Sequence, residues 1–87
     1  MNKEAKYLYD LITPIVSNPE EVGVSQTIDD RGLLLELKLA KEDIGTIIGK
    51  QGETAHAIRR IVRLFGMRND QRISIKIIEP ENGDNKL

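Results

Sequence analysis

Ile47-Ile48-Gly49-Lys50-Gln51-Gly52 is the stretch on which the reading of this chain turns. Two glycines frame a lysine and an amide, and apolar residues at helical spacing stand on both sides. A loop of this kind brings backbone amides close to a phosphate chain, an approach that side chains at the two glycine positions would hinder. Upstream, Ile44, Ile47 and Ile48 recur at i, i+3 and i+4, and Glu42 and Asp43 suit the positive end of a helix dipole. A helix is therefore predicted from about Lys41 to Ile48. Downstream, a second helix is predicted from Glu53 to Phe65, with Ile58, Ile61, Val62 and Phe65 facing a core. His56, Arg59, Arg60 and Arg63 share the opposite, wet face, and Gly66 is read as the stop, followed by a loop over residues 67–71.

Working outward, residues 3–17 carry an apolar stripe of Ala5, Leu8, Ile12 and Ile15, widened by Leu11 and Val16, which predicts a first helix. Pro14 interrupts it, because an interior proline removes a helical hydrogen bond, and the prediction is a kinked last turn or an early end. Residues 22–28 predict a strand with Val22, Val24 and Ile28 on one face. Asp29-Asp30-Arg31-Gly32 is a turn with Gly32 at positive φ, and residues 33–40 alternate Leu33, Leu35, Leu37 and Leu39 with a more polar set. The two strands predict an antiparallel hairpin. A last strand spans residues 72–78, with Ile73, Ile75 and Ile77 on one face. The order α-β-β-α-α-β, with apolar faces on all six elements, predicts an α+β sandwich whose three helices cover one face of a three-stranded sheet. Residues 1–78 form one domain, and the polar residues 79–87 are expected to be a disordered tail.

Eighty-seven residues allow a single small core. With no cysteine and one histidine, there is no disulfide, no thiolate metal site and no structural zinc. No signal-like or membrane-length apolar run is present, and the expectation is a cytoplasmic protein with no membrane partner. The overall charge of −1 hides a strong asymmetry: residues 1–49 carry −4, residues 50–72 carry +4 and residues 73–87 carry −1. The positive segment begins at the glycine loop, and a polyanion responds to such a cluster more than to the overall balance.

The segment Glu42-Asp43-Ile44-Gly45-Thr46-Ile47-Ile48-Gly49-Lys50-Gln51-Gly52 resembles the signature of a KH domain, and the element order resembles the type II, bacterial arrangement. The continuation Thr54-Ala55-His56-Ala57-Ile58-Arg59, the Pro14 of the first helix and the Asn18-Pro19-Glu20 exit resemble the small single-KH-domain RNA-binding proteins of bacteria, the KhpA type. The resemblance covers residues 3–78. It implies a GxxG loop that clamps a few nucleotides of backbone. In that reading Gly49 and Gly52 admit the sugar-phosphates, Lys50 contacts phosphate directly and Gln51 hydrogen-bonds phosphate or ribose. Ile47 or Ile48 floors a groove too narrow for a duplex. Ile44, Ile47, Ile48 and Ile58 also suit a core, with Ile48 able to serve both roles. Arg59, Arg60 and Arg63 are open to two readings, RNA contacts or a solvated or partner-binding face. The expected RNA contacts are Ile48, Gly49, Lys50, Gln51, Gly52, Arg59 and Arg60.

The chain departs from the pattern of the KhpA type at three positions: Glu53 where a basic residue is usual, Lys41 where proline is usual, and His56 where lysine is frequent. Glu53 suits a helix start but repels phosphate, which implies a modest RNA grip. Tyr7, Tyr9 and Phe65 are the only aromatics and none lies in the loop, so weak sequence preference without aromatic stacking is expected. The resemblance implies a non-catalytic single-stranded RNA-binding protein acting as an RNA chaperone or post-transcriptional regulator. It further implies self-association, or pairing with a larger KH-containing protein of the KhpB/Jag type. The alternative is a protein-interaction module on a KH scaffold with vestigial RNA binding. An enzyme is the least favoured class: no nucleophile–base spacing and no P-loop are present, and no cofactor or catalytic residue is expected.

Overall fold

The computed structural model describes residues 1–78, so the expectation for the 79–87 tail lies outside the described residues. Helix α1 spans Lys3–Ile12, strand β1 Gly23–Asp29, β2 Gly32–Lys38, helix α2 Lys41–Ile48, α3 Glu53–Arg68 and β3 Ile73–Ile78. The predicted order α-β-β-α-α-β is the observed one. The sheet order is β1-β2-β3. β1 and β2 pair antiparallel from Gly23↔Lys38 to Asp29↔Gly32, across the turn predicted at residues 29–32. β2 and β3 pair in parallel from Leu33↔Ile73 to Lys38↔Ile78. A parallel neighbour cannot be reached by a hairpin. The chain must cross over from the end of β2 to the start of β3, and α2, the glycine loop and α3 are that crossover.

The alternation of β2 explains which face is covered. Leu33, Leu35 and Leu37 are buried, while Leu34 and Glu36 are half-buried and Lys38 is exposed. Ala5, Leu8 and Ile12 of α1, Ile47 of α2, Ile58 and Val62 of α3 and Ile73 of β3 complete the core above that face. Leu39 is equally buried, although β2 ends at Lys38. Tyr7 of α1 and Phe65 of α3 close the seam between their helices, stacked at 4.3 Å with ring planes 5° apart.

Several boundaries differ from the sequence reading for physical reasons. α1 stops at Ile12, the early end that Pro14 predicted, and Pro14 sits within a 3₁₀ turn at Thr13–Ile15 whose shape tolerates its missing N–H. α3 continues through Gly66 to Arg68. The glycine serves packing rather than termination: a Cβ there would lie 2.5 Å from Ile73 Cδ1 and 2.8 Å from the Gln71 carbonyl oxygen. The turn that ends the helix comes at Asp70, at φ +57. Ile61, read as a core residue, is 43 % exposed, because the core-facing arc of α3 is centred on Ala55, Ile58, Val62 and Gly66. Ile28 shares the helix-side face of β1, as its pairing with Leu33 requires, yet is 64 % exposed. β1 is an edge strand whose last residues run out from under the helices.

Two buried carboxylates contrast within this small core. Glu4 of α1 has one oxygen, Oε2, with no hydrogen-bond partner. Asp43 of α2 is fully satisfied. Its Oδ1 accepts from the Ser17 N–H at 2.8 Å, and its Oδ2 accepts from the Asn18 N–H at 2.9 Å and from Asn18 Nδ2 at 3.3 Å. These bonds tie the first turn of α2 to the chain leaving α1. The Ser17 N–H leads in holding the Asp43 carboxyl below the usual aspartate range, against the opposing effect of burial, and the Asn18 groups reinforce it.

Candidate nucleic-acid interface

The glycine loop is built by backbone conformations that ordinary residues avoid. Gly49 closes α2 at φ +76, ψ −179, a region open essentially to glycine alone. Its N–H donates to Gly45 O at 2.9 Å, and its carbonyl accepts from the Gly52 N–H at 3.3 Å. Lys50–Gly52 form one 3₁₀ turn in which Gln51 lies at φ +57, ψ +29. Gly52, at φ +75, ψ +11, is the left-handed residue that launches α3.

The two glycines differ in what surrounds them. A Cβ on Gly49 would collide with Thr54 Oγ1 and stand 2.7 Å from Thr54 Cβ, so the start of α3 is folded directly against it. A Cβ on Gly52 would meet nothing within 4 Å. Gly49 is thus a structural necessity, whereas the space beside Gly52 is open to solvent. An approaching chain would use that space. α3 also begins without a side-chain cap; the Glu53 N–H donates to the Lys50 carbonyl, and the remaining first-turn amides and the positive end of the dipole lie beside the same loop.

Around this loop, Lys50 and Gln51 are exposed and Glu53 is exposed on the first turn of α3. Ile47 is completely buried, so of the two isoleucines only Ile48, 36 % exposed, is available to a ligand. The arginines of α3 stand in different surroundings. Arg59 is half-buried. Arg60 lines a shallow depression with Glu53, His56, Ala57, Ile61 and Leu64. Arg63 lines a different groove with residues of the 70–73 segment. Among the described residues, the ion pairs are Lys6–Asp10 and Arg31–Asp29, so Lys50 and the arginines of α3 have no acidic side chain holding them.

Helical periodicity missed one feature. Ile61, Leu64 and Met67 are 43 %, 61 % and 69 % exposed on the outer side of α3, an apolar stripe beside Arg60. The signal was present in the sequence: the apolar positions of this helix span too wide an arc for all of them to face one core. No group of acidic, histidine or cysteine side chains able to hold a metal occurs among the described residues, and no described helix is long and apolar enough to cross a membrane.

Comparison with known proteins matches residues 5–77 to the family model described as KhpA/KhpB, KH domain. RNA-binding protein KhpA of Listeria monocytogenes is 40 % identical over 72 residues, covering 83 % of this chain and 95 % of that protein. Its namesake in Clostridium acetobutylicum is 41 % identical over 64 residues, 74 % and 85 % of the two chains. The Chlamydia pneumoniae KhpA is 39 % identical over 74 residues, 85 % and 95 %. No solved structure matches the chain. The chain belongs to the KhpA/KhpB KH-domain family.

Proposed function

We propose that this KH domain binds single-stranded RNA without catalysing a reaction, and that it grips the sugar-phosphate backbone with Gly49-Lys50-Gln51-Gly52. The observation that carries the reading is the open space beside Gly52 at the uncapped start of α3, next to the exposed Lys50. A phosphate there meets amides, a helix dipole and a cation with no acidic partner among the described residues. Ile48 offers an apolar contact at the loop's edge, and Arg59 and Arg60 extend the positive field along α3. The RNA-binding names of the relatives support the same reading.

The biological role that fits such a grip is RNA chaperoning or post-transcriptional regulation in the cytoplasm. One small domain with Glu53 beside its clamp holds RNA weakly, and a second module raises the avidity through effective concentration. The exposed Ile61 and Leu64, which line one shallow depression, support a protein partner, either a second copy of this chain or a KH-containing protein of the KhpB/Jag type. They add to the RNA grip rather than replacing it.

The test is the double substitution Lys50→Asp/Gln51→Asp. Both side chains are exposed, so the fold is retained. Affinity for a single-stranded RNA drops by at least about tenfold, because one phosphate contact is lost and two like charges are placed against the backbone. A folded double variant that binds RNA as the wild type does overturns the reading.

A further inference from the structure

The end of α3 remote from the glycine loop carries a second concavity. Arg63, Met67, Asp70, Gln71, Arg72 and Ile73 line an open groove of about 510 Å³ between the last turns of α3 and the start of β3. That volume falls in the range of roughly 300–1,000 Å³ typical of small-ligand sites. Its walls are fixed by main-chain geometry. The Gln71 N–H donates to Gly66 O at 2.8 Å, Arg72 O accepts from the Leu33 N–H at 2.8 Å, and Ile73 packs directly on the bare Cα of Gly66. Arg63 and Arg72 are exposed, and among the described residues neither has an ion-pair partner. Met67, 69 % exposed, supplies apolar surface in the same lining, whereas Ile73 is buried against the helix.

We infer that this groove is a second nucleotide subsite, which takes one further nucleotide of the strand gripped at the glycine loop. The inference rests on the RNA reading above. The chemistry of the lining suits a nucleotide more closely than a simple anion. Two guanidinium groups take a phosphate, and the exposed thioether of Met67 takes a base face. The Gln71 amide and the Asp70 carboxylate line the same groove, and a carboxylate accepts from an exocyclic amine such as cytosine N4. Asp70 lowers the net charge of the groove to that of a single cation, which disfavours a bare multivalent anion. Both sites lie on one helix. From Glu53 to Arg63 the rise along α3 is roughly 15 Å, with Arg59 one turn before Arg63 on the same flank, so one extended strand can reach both.

The test measures how affinity grows with RNA length, using end-labelled single-stranded oligonucleotides of about four and about eight nucleotides, the shorter being what one GxxG loop accommodates. The wild type binds the longer RNA at least about tenfold more tightly. Arg63→Ala/Arg72→Ala leaves the short oligonucleotide unchanged, cuts the length gain to about fivefold, the statistical factor for a four-nucleotide grip on an eight-nucleotide strand, and reduces the salt slope for the longer RNA by roughly 0.7 per lost phosphate contact. Met67→Ala cuts the gain without changing the slope. Arg31→Ala removes an exposed cation on the β1–β2 turn and changes neither. A full length gain in the Arg63/Arg72 variant, no gain beyond that statistical factor in the wild type, or an equal loss in Arg31→Ala overturns the subsite. The RNA reading itself stands or falls separately, on whether Lys50→Asp/Gln51→Asp loses affinity at both lengths.

Discussion

Both ends of α3 depend on glycine, and they do so for opposite reasons. At its start, Gly49 and Gly52 supply backbone angles that other residues avoid, and the space outside Gly52 is left empty. At its end, Gly66 has ordinary helical geometry, and the space where its side chain would be is filled by Ile73 and the Gln71 carbonyl. One end keeps a surface accessible and the other closes helix onto strand. The difference teaches that a glycine near a helix terminus has several possible meanings. Only its neighbours in space decide among conformational freedom, close packing and an open surface.

Substitution to alanine separates these roles. The largest loss is expected for Gly49→Ala, which combines a glycine-only conformation with a collision against Thr54, and should cost about 3 kcal/mol or more of unfolding free energy in a denaturant titration. A near-neutral Gly49→Ala would break the account of the loop. Gly66→Ala comes next. Alanine gains up to about 1 kcal/mol of helix propensity, but overpacking against a backbone oxygen costs about 1–3 kcal/mol, so a net loss of about 1–2 kcal/mol is expected. A stabilised Gly66→Ala would show that the helix–strand contact is not tight. Gly52→Ala meets no atom, so its cost is the left-handed conformation alone, about 1–2 kcal/mol. Its RNA affinity should nevertheless fall by at least about tenfold, since the new methyl occupies the approach to the amides. Intact RNA binding by Gly52→Ala would remove the functional half of the contrast.

A last prediction concerns the anchor of α2 and is read on acidification. Asp43 titrates below its ordinary value of 3.8 in the folded protein, so the stability it contributes is complete above that value and is lost as the pH falls through the lower, folded value. Thermal unfolding followed by circular dichroism should show a falling midpoint below about pH 4. Asp43→Asn, less stable at neutral pH, should show a flatter acid limb. An unchanged acid limb in the variant would mean that other carboxylates control it.

Much of this was legible in the chain. The alternation of Leu33, Leu35 and Leu37 located the central strand and its covered face. Ile44, Ile47 and Ile48 located α2, and the GxxG spacing located the loop between two helices. Other features depend on tertiary contacts that periodicity does not encode. Gly66 reads as a stop unless Ile73 is known to lie against it. Ile61 reads as core until the arc of α3 facing the sheet is fixed by Ile58 and Val62. The parallel pairing of β2 with β3, which makes the loop part of a crossover, follows from long-range register alone. At the candidate site, Ile47 and Ile48 are equivalent in sequence, and only burial assigns one to the core and one to the surface. Likewise Arg60 and Arg63, both counted on a wet face, line different depressions because that face is broad.

The most direct measurement is a titration of the folded protein with single-stranded RNA, followed through backbone amide chemical shifts. The account predicts that the first and largest changes fall on Gly49, Lys50, Gln51 and Gly52, with smaller ones at Ile48 and Arg59. Largest changes on the Ile61–Leu64–Met67 stripe or on the open face of the sheet, with the loop unmoved, would contradict it.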